Sequence, residues 1–197
     1  MTRRGRDVAR PERGRLRIIA GTLKGRRIAA PTVGAVRPTG EKVREALFDI
    51  LGGRVEGARV LDAFAGSGAL GCEALSRGAR EVVFVESDPR VAHVLRANLD
   101  SLGVQDRSGV LVVDATSESP AIESLSPFDL VLADPPYGTD MAARFLDRAS
   151  ASRLVRPRTW LVLEVAARDA PLGSQPGIEW IRSATYGDSR LEFFEAS

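Results

Sequence analysis

Cysteine and histidine each occur once, as Cys72 and His93. One thiol excludes an internal disulfide and a thiolate metal cluster, and one imidazole leaves nothing for a histidine-based metal site, so no metal is expected. No apolar run approaches the ~18 residues that span a bilayer. The opening MTRRGRDVARPERGR also has no apolar stretch of the kind that directs secretion, so a cytoplasmic chain with no membrane contact is the expectation. Internal repeats are absent, and so is low-complexity sequence beyond the arginine-rich start.

Lysine is nearly missing too: Lys24 and Lys42 are the only two among 28 basic residues. The formal net charge of +2 conceals an uneven distribution, because residues 1–44 carry 13 Lys and Arg against 3 Asp and Glu. The remainder is acidic. A basic segment on an acidic body suits a polyanionic partner, since Lys and Arg that neutralise phosphates release counterions. A solvated tail in an arginine-preferring proteome accounts equally well for residues 1–14, which are expected to be flexible.

From position 15 the pattern becomes regular. Leu16–Ala20 and Arg26–Ala30 flank a glycine-bearing turn and predict a short β-hairpin, which with its following loop makes an N-terminal appendage over residues 15–38. Thr39 is an expected N-cap for a helix over Glu41–Leu51. Strands then alternate with helices: strands at Arg59–Ala63, Glu81–Glu86, Val110–Val113, Phe128–Ala133 and Trp160–Val165; helices at Ala69–Arg77, Pro89–Leu102, Ser119–Leu125 and Met141–Ala149. Two final strands, Ile178–Ala184 and Leu191–Glu195, surround a turn. The expected fold is α/β, a Rossmann-like seven-stranded sheet, mostly parallel, closed by an antiparallel hairpin and occupying residues 39–197.

The first strand of that sheet runs from Val60 through Asp62 and Phe64 into Gly66-Ser67-Gly68-Ala69-Leu70-Gly71, and a helix follows. Glycines so spaced let bare backbone approach a nucleotide. Glu86 closes the next strand, where a carboxylate reaches ribose hydroxyls, and Asp114 follows the third, within reach of an adenine amino group. Asp62 discriminates among nucleotides: its charge would repel a pyrophosphate but attract the ammonium of a methionine moiety. The cofactor that matches is S-adenosyl-L-methionine, with Asp62, Phe64, Gly66, Ser67, Gly68, Glu86, Ser87, Asp114 and Ala115 as expected contacts. The alternative is that Asp62 caps its loop and that Glu86 and Asp114 are solvated strand-end acids.

The fourth strand ends in Asp134-Pro135-Pro136-Tyr137. Methylating a conjugated amino group requires its lone pair to leave the π system and face the sulfonium methyl. Fixed acceptors around the N–H groups favour that geometry: Asp134 through its side chain and Pro135 through its carbonyl, with Pro136 stiffening the backbone and Tyr137 offering a stacking face. Asp-Pro-Pro can also simply end a strand at a turn.

Asp134–Tyr137 resembles the D/N-P-P-Y/F motif of amino-methyltransferases, and the longer pattern resembles the RsmD-type 16S rRNA (guanine-N2)-methyltransferases. The likeness runs through Arg17-Ile-Ile-Ala-Gly21, Gly25-Arg26-Arg27, Arg37-Pro38-Thr39, Val43-Arg44-Glu45, Phe64–Gly71, Glu73–Gly78 and Tyr186-Gly187-Asp188-Ser189. It departs at Glu41-Lys42, where the family usually has Asp-Arg, and at Ala20, where it usually has glycine. The resemblance implies methyl transfer to N2 of one guanine in 16S rRNA during small-subunit assembly. Arg15, Arg17, Lys24, Arg26 and Arg27 on the hairpin are the expected phosphate contacts, joined on the resemblance by Arg37 and Arg44. An ordinary helix salt bridge also fits Arg44. D-P-P-Y alone leaves open transfer to adenine N6 in DNA or RNA or to a protein glutamine, and the fold leaves open an RNA-binding assembly factor without turnover. His93 is read as a surface residue, Cys72 as packed against the sheet, and Trp160 and Trp180 as core or strand-end aromatics.

Overall fold

The computed structural model describes residues 15–31 and 40–197, and for Arg15 the backbone only. The basic tail, Arg37 and Thr39 lie outside the described residues. Arg15–Arg17 (β1) and Arg27–Ala29 (β2) pair antiparallel with Leu16 opposite Ile28. Gly25 N–H donates to the Ile18 carbonyl and closes the turn, so the predicted hairpin is present. Glu41–Leu51 (α1) has the expected limits, with Gly40 rather than Thr39 at its N-cap.

The main sheet contains Arg59–Asp62 (β3), Glu81–Val85 (β4), Ser108–Leu111 (β5), Leu130–Ala133 (β6), Trp160–Ala166 (β7), Ile178–Tyr186 (β8) and Ser189–Ala196 (β9), in the spatial order β5-β4-β3-β6-β7-β9-β8. The first five in that order are parallel, and β9 and β8 close the edge antiparallel. Successive strand residues face opposite sides, as a period of two requires. Val60, Val82 and Phe84 join one core, with Ala69–Ser76 (α2), Pro89–Leu102 (α3), α1 and the hairpin's Ile18 and Ile28. Leu61, Val83 and Val85 join the other, with Pro120–Glu123 (α4) and Met141–Ala151 (α5). The chain steps from β3 outward to β4 and β5, then returns to β6 on the other side of β3. That reversal opens a crevice at the carboxyl ends of β3 and β6. No described helix is long and apolar enough to cross a membrane.

Three of the boundaries that differ from expectation have identifiable hydrogen-bonding reasons. The ladder of β5 with β4 ends at Leu111, which accepts Glu86 N–H, so Val112 and Val113 lead into a turn although the apolar run continues. The helix expected over Ser119–Leu125 shrinks to α4 because Ser124 and Ser126 turn their hydroxyls onto the Ala121 and Glu123 carbonyls. Phe128 leaves the sheet because its N–H donates to Leu154. Trp180 is exposed on the edge strand rather than in the core.

The hairpin is fastened to α2 through the Glu73 carboxylate and through Ser76, whose carbonyl accepts Thr22 N–H at 2.8 Å and whose hydroxyl accepts Leu23 N–H at 2.9 Å. Glu73, wholly buried, accepts the N–H groups of Ile19 at 2.8 Å and Ala20 at 3.0 Å. Arg44, also wholly buried, lies 3.9 Å from Glu73 and donates to the Arg17 carbonyl at 2.6 Å. Gly21 (φ +79°) sits so close to α2 that a Cβ there would lie 1.9 Å from the Ser76 carbonyl oxygen, so only glycine fits.

Candidate active site

Asp62 ends β3 with 1% of its surface exposed. Its Oδ2 accepts Gly71 N–H at 2.9 Å, so it does cap the glycine loop. Its Oδ1 is buried without a hydrogen-bond partner among the described residues. Burial pushes the carboxyl's pKa up to about 7, against the Gly71 N–H, with the Glu86 charge adding to the rise. A buried acceptor left open is costly unless a ligand donor completes it. Gly66, at φ +52°, has nothing within 4 Å of where a Cβ would stand, so the loop backbone is bare on that side.

Glu86 binds the same loop: one oxygen accepts Gly66 N–H at 2.9 Å and the other Asp88 N–H at 2.8 Å. Asp114 accepts from Thr116 and Ser117; burial works to raise its pKa, and these hydrogen bonds outweigh it and leave it lowered. A cleft of about 280 Å³ lies among Phe64, Gly66, Glu86, Ser87, Asp114 and Ala115, and Asp134 and Pro136 also border it. A recess of about 50 Å³ adjoins it, bordered by Asp62, Ser67 and Asp134 and by Ala30 and Pro31 that follow the hairpin. Asp134 borders both spaces. Gly68 is buried and set back from them.

Asp134 is half-buried at the end of β6, with Pro135 buried and Pro136 exposed. The Tyr137 hydroxyl donates to Glu164 Oε1 at 2.6 Å and lies 2.8 Å from Ser189 Oγ. Burial first, then the Glu164 carboxylate, push the phenol's pKa up, so the hydroxyl acts as an anchor and not as an acid. Sequence reasoning missed Glu164, 3% exposed on β7, whose signal was a lone acid inside the apolar run WLVLEV. It missed Asn98 as well.

Of the expected phosphate contacts, Arg17, Lys24, Arg26 and Arg27 are exposed on the hairpin. Arg17 bridges to Glu41 at 2.8 Å, and Arg26 donates to the Ser101 carbonyl. Arg44 is a correction: fully buried against Glu73, it cannot present its guanidinium to an RNA phosphate, and its place is to fasten the hairpin. His93 is exposed and Cys72 buried.

The family model described as "Conserved hypothetical protein 95" matches residues 16–195. Ribosomal RNA small subunit methyltransferase D of Haemophilus influenzae is 32% identical over 176 residues, covering 89% of this chain and 91% of that one. The protein of the same name in Escherichia coli K12 is 40% identical over 124 residues, 63% of this chain and 61% of that one. Among solved structures, a hypothetical protein of Thermus thermophilus superposes with a TM-score of 0.77 at 31% identity, covering 92% of this chain and 99% of that one.

Proposed function

The chain belongs to the conserved hypothetical protein 95 family, the RsmD family, and from that membership we propose that it transfers the methyl of S-adenosyl-L-methionine to the exocyclic N2 amino group of a guanine in 16S rRNA. The observation that carries this reading is the position of Asp134, which borders both the cleft and the recess beside the glycine loop. The residues present fit the cofactor. Asp62 Oδ1 is an open buried acceptor for an ammonium, Gly66 leaves its loop bare, and Glu86 and Asp114 border the cleft where a nucleoside would lie. When bound, S-adenosyl-L-methionine supplies an electrophilic methyl on a sulfonium.

The chain's own part is to hold the acceptor. Asp134 and the Pro135 carbonyl accept hydrogen bonds from the amino N–H groups, so the nitrogen lone pair turns out of the ring plane toward the methyl. Tyr137, anchored by Glu164 and Ser189, presents its ring to a base that is unpaired or flipped. No strong base is required, because the methylated ammonium loses its proton to solvent readily. The protein would work in the cytoplasm on the small ribosomal subunit or its assembly intermediate.

The decisive test is mass spectrometry of rRNA nucleosides from cells lacking the protein, where loss of one N2-methylguanosine from 16S rRNA is expected. Intact N2-methylguanosine with loss of N6-methyladenosine or of a methylated glutamine would redirect the reading. On the hairpin, neutralising two of Arg17, Lys24, Arg26 and Arg27 should flatten the slope of log RNA affinity against log salt by about 1–2. An unchanged slope would move the RNA to another surface.

Asp62 adds a pH dependence. With its pKa held up to about 7, the carboxyl must ionise to meet an ammonium. Cofactor affinity should therefore rise about tenfold from about pH 6 to about pH 8. Asp62→Asn should bind more weakly and show no such rise, as calorimetry across pH would reveal. For folding of the free protein the sign is opposite: a pKa above the ordinary value of 3.8 means that burying this carboxyl costs nothing extra at acid pH and that stability is lost as pH climbs from 3.8 to about 7, levelling off above that.

A further inference from the structure

Asn98, on α3 and 4% exposed, joins two parts of the molecule that the sequence separates. Its Oδ1 accepts Ala29 N–H at 2.8 Å, and its Nδ2 donates to the Ala29 carbonyl at 2.9 Å and to the Ser67 carbonyl at 2.9 Å. Ala29 ends β2 of the hairpin, and Ser67 lies within the glycine loop. The two residues after Ala29, Ala30 and Pro31, border the recess that Asp62 and Ser67 border from the other side. The appendage therefore forms a wall of the space in which Asp62 leaves an acceptor open, and one amide sets that wall against the loop.

We propose that Asn98 is a positioning residue for the cofactor: by clamping Ala29 to Ser67 it makes the hairpin one wall of the methionine end of the site, so that cofactor release requires the hairpin to undock. The inference rests on the S-adenosyl-L-methionine reading above. It assigns the hairpin a second role besides holding phosphates, and it makes cofactor residence time a property of the docking contacts on α2 and α3. Those contacts include the Asn98 clamp, the Glu73 carboxylate under Ile19 and Ala20, and the close approach of Gly21 to Ser76. Because binding couplings are reciprocal, an RNA that favours the docked hairpin also tightens cofactor binding.

The test is the dissociation rate of S-adenosyl-L-homocysteine from the full chain without RNA, measured by rapid displacement with excess S-adenosyl-L-methionine. Two variants perturb the clamp directly: Asn98→Ala removes all three hydrogen bonds, and Asn98→Asp keeps the acceptor for Ala29 N–H but loses both donors. A third, Gly21→Val, acts remotely by driving a side chain into the Ser76 carbonyl, and it keeps the test open if Asn98→Ala does not fold. Release about tenfold faster in Asn98→Ala is expected, as for loss of one well-formed hydrogen bond to the loop. Several-fold faster release is expected in Gly21→Val, with faster hydrogen exchange at the Ile19 and Ala20 amides. Turnover at saturating cofactor should change far less than release, a split that a general loss of stability would not produce. Release at the wild-type rate in folded Asn98→Asp and Gly21→Val would overturn the inference. Failure of the wild-type chain to bind S-adenosyl-L-methionine would instead overturn the function proposed above.

Discussion

Asp134→Ala is expected to lower turnover by about two orders of magnitude or more while cofactor affinity stays close to that of the wild type. The carboxylate stands at the end of β6 on a backbone stiffened by Pro135 and Pro136, so little is spent on orienting it when substrate arrives. An amino group conjugated to a purine is nearly planar in the ground state. As its nitrogen becomes tetrahedral its hydrogens become more acidic, and hydrogen bonds to Asp134 strengthen at that moment. An interaction stronger in the transition state than before it raises kcat, so its removal should appear in single-turnover rates and not in calorimetric binding of the cofactor. Asp134→Asn keeps an acceptor oxygen without the charge and should fall between the two. A fully active Asp134→Ala chain would mean that Asp-Pro-Pro merely ends a strand.

Glu73→Ala is expected to destabilise the fold by about 3–5 kcal/mol, the range found when one member of a buried ion pair is removed. For a chain of this size that corresponds to roughly 6–20 °C in Tm. Burial pulls the Arg44 pKa down and the Glu73 charge is the largest influence holding it up, so the variant removes the main charge that offsets the burial of a guanidinium at 0% exposure. The amides of Ile19 and Ala20 lose their acceptor in the same step. A thermal or urea melt would measure the loss, and the double variant Glu73→Ala/Arg44→Met should recover part of it by removing the buried charge. A Tm within about 2 °C of wild type would show that water reaches Arg44 and compensates it.

The alternation of strands and helices could be read from the sequence because each helix carries a 3.6-residue apolar period and each buried strand a short apolar run. Glu41–Leu51 and Pro89–Leu102 match their expected limits, the second because Asp88 caps it and Gly103 stops it. The strand expected over Val110–Val113 was misplaced by two residues, since apolar character continues past the point where its partner β4 ends. Partner length is not a local property. The cleft was legible for a different reason: glycine spacing and strand-end acids are themselves local, and the sheet order brings Asp62, Glu86, Asp114 and Asp134 to one crevice. What escaped were long-range polar pairings. Arg44 with Glu73, Asn98 with Ala29 and Tyr137 with Glu164 join residues 27 to 69 positions apart. Only a charged or amide side chain inside an otherwise apolar element, as Glu73 is in ALGCEALS, hinted at them.

Chain order gives the hairpin's docking a consequence during synthesis. Residues 15–29 leave the ribosome well before the groups that fasten them, of which the Asn98 side chain and the Ser101 carbonyl on α3 come last. At typical elongation speeds the interval between Ala29 and Ser101 is roughly 4–14 s. A two-stranded hairpin alone is marginal in water, so for those seconds a nascent segment bearing Arg15, Arg17, Lys24, Arg26 and Arg27 waits without its partner helices, beside a translating particle whose surface is largely RNA. Late closure of such distant contacts slows the final folding step, and pulse-labelled amide exchange on stalled nascent chains should show the Ile19 and Ala20 amides gaining protection only after α3 has emerged.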